Sequence, residues 1–341
     1  MKRRSLLALA AVCILLCSLF SACRRPPKQY TAYAFDYFDT VSTVTGYADS
    51  QKEFDAVAAD ILSQLEQYHR LYSIYDRFEG VANLCTLNEQ RTAQVDQRII
   101  DLLKYAIEMY VVTGGRMNIA MGSVLSLWHE YRTAGLDDPE NAALPPMELL
   151  EAAAEHTDIT KISIDEETST VTLTDPLMKL DVGAIAKGYA TEQIAQYLEE
   201  KGITGYLLNI GGNVRAVGTK PDGSFWVTGV EDPNSQDYFA TVQLSGQSIV
   251  TSGTYQRHYT VDGKHYHHII DPATNMPAEG LLSVSVICAD SGLADALSTA
   301  LFCMTVDEGK ALIEVLSDAE ALWVTPNGEQ TVSSGWNSYL K

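Results

Sequence analysis

The chain has 341 residues, 46% of them apolar, and carries 44 acidic against 24 basic residues for a formal net charge of −20. Such acidity argues against nucleic acid or an anionic lipid surface as a partner, because phosphate contacts need clustered Lys and Arg. Of six cysteines, Cys13, Cys17 and Cys23 fall at the N-terminus, and Cys85, Cys288 and Cys303 remain with no CxxC spacing, which excludes a disulfide scaffold and leaves stability to an apolar core.

The first residues, MKRRSLLALAAVCILLCSLFSAC, set a basic start before an uncharged run from Ser5 to Phe20. This predicts an export signal over residues 1–22, since the run is short for a spanning helix. Phe20-Ser21-Ala22-Cys23 resembles a bacterial lipobox, which implies a diacylglycerol on the Cys23 thiol; an uncleaved anchor is the alternative. Either way the body is expected at the cell membrane, facing outside the cytoplasm. Loss of residues 1–22 removes three cations and no acid and takes the charge to −23. RRPPKQ (Arg24 to Gln29) reads as a proline-bearing tether, with residues 23–36 assigned to lipidated cysteine and tether and 37–341 to one domain.

Within that domain, YFDTVSTVTGYA alternates like a strand, and Glu53 to Leu71 carries apolar residues at helical spacing. A second helix is predicted from Asp96 to Val112, stopped by Gly114-Gly115. RMNIAMGSVLSLWHEY reads as loop then helix, Pro145-Pro146 opens another helix, and KISIDEETSTVTLTD reads as a hairpin. From Lys179 the order becomes strand ending at Asp181, glycine turn, helix, strand; Phe225 to Val286 is strand-rich, and SGLADALSTALFCM is a late apolar helix. The class is α/β, mixed α+β.

Four stretches could carry chemistry. LDVGAIAKG places a helix N-terminus after a glycine turn, where anions bind readily, although it is not the GxGxxG dinucleotide fingerprint. Lys187 sits in the first turns of that helix against the macrodipole, which reads either as use or as an ordinary surface lysine. NIGGNVRAVG allows close backbone approach to a ligand, or is a plain hairpin. In LADALSTALF, Asp295 and Thr299 are four apart and share one helix face; a carboxylate and a hydroxyl suit Mg²⁺, or Thr299 bonds back to a carbonyl and Asp295 is solvated. HYTVDGKHYHHIIDP holds His258, His265, His267 and His268. Only 265 and 267 converge on one strand face, with no HExxH or cysteine partner, which disfavours zinc. His268, just before the Asp271-Pro272 turn, is the candidate proton acceptor, and the other three read as strand surface.

In order, LDVGAIAKGYATEQIAQYLEEKG, LLNIGGNVRAVG, IVTSGTYQRHY, YHHIIDPATNMPA and LADALSTALF resemble the motifs of the ApbE family, the FAD:protein FMN transferases, and the likeness extends back through RMNIAMGSVLSLWH to YFDTVSTVTGYA. The resemblance implies two lobes around an FAD cleft, and Mg²⁺-dependent transfer of FMN from FAD to a Thr or Ser hydroxyl with release of AMP. The implied acceptor is an exported flavoprotein, such as a redox-pump subunit, bearing a Ser/Thr-Gly-Ala-Ser/Thr-like motif. It further implies a metal held by the Ala184 carbonyl, Asp295 and Thr299, flavin contacts from Phe38, Tyr75, Arg116, Met117, Asn118, Asp181, Lys187 and Ile270, and His268 as the base. Phe38-Asp39-Thr40 stands where members often have Met-Gly-Thr, Asn118 where an aspartate is common, Ala184 where glycine is frequent, and Ser298 where some carry a second acid. An FAD pyrophosphatase and a non-catalytic FAD-binding lipoprotein are the alternatives.

Overall fold

Strand alternation begins earlier in the chain than expected. In the computed structural model, which describes residues 26–235, 237–255 and 257–341, β1 covers Lys28–Tyr37 and pairs antiparallel with β2, Thr40–Ala48. Most of the segment assigned to a tether is thus sheet. KQYTAYAFDY alternates its exposed and covered positions, with Tyr30 and Ala32 packed on the core, so the sheet begins at Lys28. The signal sequence, Cys23, Arg24 and Arg25 lie outside the described residues.

Helix α1, Gln51–Tyr72, is capped by Ser50 and buries Phe54, Ala58, Ile61, Leu65 and Tyr68 at the spacing the sequence predicts. The short helix α2, Leu84–Gln90, was not predicted. Seven residues give no periodicity to read, and its one signal is Asn83, whose Oδ1 accepts from Thr86 N at 3.0 Å. After β3, Thr92–Gln94, come α3 (Gln97–Val112), α4 (Gly122–Asp137) and α5 (Met147–Ala154), then the hairpin of β4, Ile162–Asp165, and β5, Thr170–Leu173, all where expected except β3.

The predicted strand ending at Asp181 is absent. Lys179 makes a single parallel bridge to Met121, and the Asn88 side chain takes both the N–H and the carbonyl of Leu180, at 2.7 and 2.9 Å, leaving no ladder to extend. Helix α6, Ala186–Glu200, follows, then β6, Tyr206–Ile210, and β7, Asn213–Val217, joined by the Gly211-Gly212 turn. The strand-rich region supplies β8 (Trp226–Glu231), β9 (Tyr238–Leu244), β10 (Ser248–Gly253), β11 (His258–Val261), β12 (Lys264–His267), β13 (Ile270–Asp271), β14 (Met276–Pro277) and β15 (Ser283–Cys288). The chain closes with α7 (Ser291–Phe302), α8 (Val306–Val315), β16 (Ala319–Val324) and β17 (Gln330–Val332).

One sheet dominates, in the order β1-β2-β6-β7-β10-β15-β16-β17, and every pairing in it is antiparallel. Its two faces are read off the period of two in the central strands. Val284, Val286, Ala321 and Trp323 pack under α7 and α8, while Ile287, Leu322 and Val324 meet Trp226, Val242 and Trp336 on the opposite side. Both faces being covered, strands such as SVSVIC are buried throughout.

Two contacts fix α6 against α7. A Cβ on Gly188 would lie 2.3 Å from the Ser291 carbonyl and 2.4 Å from Asp295 Cβ, so only glycine lets the helices approach this closely. Behind it, Glu192 Oε2 accepts from Arg215 Nε at 3.0 Å and from Ser291 N at 2.9 Å, a buried ion pair tying β7 and α6 to the first turn of α7.

Candidate active site

A cleft of about 470 Å³ opens where the β1–β2 turn, the chain ahead of α4, the start of α6, the Gly211-Gly212 turn, β10, the histidine-rich hairpin and α7 meet. Phe38, Tyr75, Arg116, Met117, Asn118, Asp181, Ala184, Lys187, His268, Ile270, Asp295 and Thr299 all line it, although they are drawn from across some 260 positions of sequence. Sequence spacing alone could pair Asp295 with Thr299 but could not bring either to His268.

Asp295 is 4% exposed, and its Oδ2 accepts from Gly188 N at 2.8 Å, with the Lys187 ammonium 3.9 Å away. Burial raises its pKa, and Lys187 and the Gly188 N–H act in the opposite direction. Because the Gly188 N–H is turned to Asp295, the Ala184 carbonyl just ahead of α6 accepts no backbone hydrogen bond among the described residues. Among the described residues Thr299 Oγ1 has only a long contact, 3.4 Å, to Ser252 Oγ. A free carbonyl, a buried carboxylate and a loosely held hydroxyl make an all-oxygen donor set that fits a hard divalent cation completed by water and phosphate. Three or more His, Cys, Asp or Glu side chains do not cluster to hold a metal among the described residues, and of these three donors only Asp295 carries charge.

His268 lies just past β12, held twice by one group: its backbone N–H and its Nδ1 both contact the Arg257 carbonyl, at 3.1 and 3.2 Å. A carbonyl can only accept, so the proton is on Nδ1, and Nε2 is left as a lone-pair acceptor with no partner among the described residues. Crowding by the cleft walls, then the Arg257 charge, push its pKa down to about 3, even though the ring meets solvent in the cleft. His268 is therefore neutral in the free protein at every pH near neutrality. A phosphate ester bound beside it would offset Arg257 and Lys187 and is expected to move the His268 pKa upward toward the range of a useful base. Histidine NMR titrations with and without FAD measure this directly; a downward shift or none would contradict it.

His267 corrects the expectation of a surface strand residue. Its Nε2–H donates to the Ala278 carbonyl at 2.8 Å, its Nδ1 accepts from Ile269 N at 3.2 Å, and its ring meets Phe302 edge-on. With both nitrogens spent, His267 holds the corner that presents its neighbour. His258 and His265 stack edge to face at 4.9 Å on the hairpin.

The flavin-contact candidates divide by what their side chains already do. Phe38 and Asp39 both sit at positive φ in the tight turn between β1 and β2, and Phe38 N donates to His69 Nδ1 at 3.1 Å. Tyr75 is 57% exposed and stacks on His129 at 5.2 Å, offering a flat aromatic surface at the rim. Arg116 pairs with Asp271 at 3.1 Å. Met117 is a core residue at 1% exposure, and Asn118 spends its amide on Thr157 O and Ala120 N, so these two shape the loop from beneath. Asp181 accepts from Gly183 N at 2.8 Å, and burial raises its pKa. Ile270 is buried, packed with Met121, Val124, Trp128 and Tyr259. No sequence motif singles out His129, Arg132 or Arg257, which also line the cleft. His129 and Arg132 lie on α4 four and seven positions after Leu125, another lining residue, a spacing that marks one helix face only once the cleft side is known.

Such a cleft, lined by four cationic side chains, an aromatic rim, a histidine nitrogen and a set of oxygen donors, has the chemistry of an enzyme site suited to a phosphate ester. The ApbE family model matches residues 38–323, and the chain belongs to the ApbE family. It is 31% identical over 283 residues to an FAD:protein FMN transferase of Klebsiella pneumoniae, spanning 82% of this chain and 85% of that protein. It is 30% identical to an FAD:protein FMN transferase of Treponema pallidum, spanning 95% and 92%. The crystal structure of the ApbE protein of Thermotoga maritima superposes with a TM-score of 0.81 at 30% identity, covering 92% of this chain and all of that one.

Proposed function

We propose that this protein transfers FMN from FAD to a Thr or Ser hydroxyl of a target flavoprotein and releases AMP. The observation that carries the reading is the His268 tautomer: Nδ1–H is pinned to the Arg257 carbonyl, so Nε2 is free to take a proton within the same cleft as the Ala184, Asp295 and Thr299 oxygens. Family membership and relatives named FAD:protein FMN transferase support it.

In the proposed reaction the acceptor hydroxyl gives its proton to His268 Nε2 as its oxygen attacks the FMN phosphorus, and the diphosphate P–O bond breaks with its electron pair leaving on AMP. Ala184, Asp295 and Thr299 would hold Mg²⁺, which when bound supplies charge neutralisation on the diphosphate. Lys187 and the N-terminus of α6 add positive potential from the protein side. The Tyr75–His129 stack offers a face for a planar ring, and the open turn at Gly212, where no atom lies within 4 Å of a would-be Cβ, leaves room for close approach to the backbone.

The same reading places the body outside the cytoplasmic membrane, lipid-anchored through Cys23. It is supported by the sequence alone, since that segment lies outside the described residues. The test of function is a mixture of purified protein, FAD, Mg²⁺ and a peptide bearing a Ser/Thr-Gly-Ala-Ser/Thr motif. Peptide carrying FMN by mass spectrometry, with one AMP per modified peptide, is the expected result. AMP and free FMN with unmodified peptide would mark a pyrophosphatase instead, and FAD bound but intact a carrier.

A further inference from the structure

The chain's large excess of acids makes any cation without an acidic partner informative. Of the four Arg and Lys side chains lining the cleft, Arg116 is paired with Asp271 and Lys187 with Asp295. Arg132 and Arg257 have no carboxylate within ion-pair distance among the described residues. They come from unrelated elements, α4 and the loop ahead of β11, yet face the same space. Arg132 is held in place: its Nη2 donates to His129 Nδ1 at 3.0 Å, and His129 is itself stacked on Tyr75. In the free protein the half-buried Arg132 guanidinium, tied to a neutral ring, is disfavoured first by its burial and then by the charge of Arg257, which Asp181 on the same cleft offsets only in part because it also faces Lys187. An anion between them removes that cost.

We infer that Arg132 and Arg257 form a guanidinium clamp for a phosphate ester and, resting on the reading above, that they grip the FAD diphosphate on the His268 side of the cleft. Arg257 then has two functions. Its carbonyl sets the His268 tautomer, and its guanidinium, through the forked geometry that matches phosphate oxygens, draws the reacting phosphorus toward that same histidine. The carbonyl belongs to the backbone, so replacing the side chain separates the two functions. These are positioning residues for the transfer; the acceptor's proton still goes to His268.

The test compares FAD with riboflavin, which has the same ring and no phosphate, by flavin fluorescence titration of the full chain with metal chelated. In Arg132→Gln and Arg257→Gln separately, FAD affinity is expected to fall about 10- to 100-fold, the worth of a charge-assisted hydrogen bond, while riboflavin affinity stays within about twofold. In turnover the same variants should raise KM for FAD far more than they lower kcat, and the salt dependence of FAD binding should flatten. Arg132→Lys should recover only part of the loss, since an ammonium cannot bind in a fork. Equal loss of FAD and riboflavin, or unchanged FAD affinity, in both Gln variants overturns the clamp. A different result, wild-type protein binding FAD no better than riboflavin, would instead overturn the placement of the diphosphate in this cleft.

Discussion

Replacing His268 by alanine is expected to reduce FMN transfer by about 10²- to 10⁴-fold while leaving FAD affinity nearly unchanged. The asymmetry follows from the site. His268 contributes one free acceptor nitrogen, Nε2, and its other contacts go to its own hairpin through the Arg257 carbonyl. Removing the ring deletes the proton acceptor and leaves the cations, the aromatic rim and the oxygen seat in place. A threonine hydroxyl without a base is a poor nucleophile, so kcat should carry the whole loss. Hydrolysis of FAD by water should fall less, because the leaving AMP does not depend on this proton. Transfer at the wild-type rate in this variant would remove His268 from the mechanism.

Replacing Asp295 by alanine is expected to abolish the dependence of activity on Mg²⁺ and to lower transfer by at least about 10²-fold, the scale seen when one electrostatic contact to a reacting group is removed. Asp295 is the only carboxylate among the three proposed donors, so Ala184 and Thr299 retain dipoles and no charge. The variant also frees two groups inside the protein, the Gly188 N–H and the Lys187 ammonium. Asp295→Asn keeps the size of the side chain and an oxygen for Gly188 while removing the charge, so it separates lost packing from a lost ligand. Binding of Mn²⁺ in the presence of FAD, read from the free-ion electron paramagnetic resonance signal, should be weakened in both variants. Full Mg²⁺-dependent activity in Asp295→Asn would reject the assignment.

Much of this site was legible in the sequence because its residues sit in short motifs whose local structure is decided locally. Asp295 and Thr299 share a helix face by spacing alone, and His268 adjoins a turn marked by Asp271-Pro272. What could not be read was convergence. Arg132 lies on α4 and Arg257 beside β11, and no periodicity relates them; only the packing of the α4 region against the β11–β13 hairpins places both on one cleft. His267 was misread because strand alternation gives a face and does not say whether that face is covered; Phe302 and the Ala278 carbonyl cover it. The missing strand at Asp181 fails for a related reason. A sequence pattern cannot show that a side chain ninety positions away, Asn88, has taken the backbone groups a strand partner would have used.

In the proposed complex one cleft sets the FAD diphosphate between the Ala184, Asp295 and Thr299 oxygens and the imidazole of His268. Crystals of the His268→Ala variant grown with FAD and Mn²⁺, measured at the manganese absorption edge, test it most directly. An anomalous peak beside those three oxygens and the diphosphate is expected, with the FMN phosphorus facing the space left by the ring. Manganese bound elsewhere, or a diphosphate remote from position 268, would contradict it.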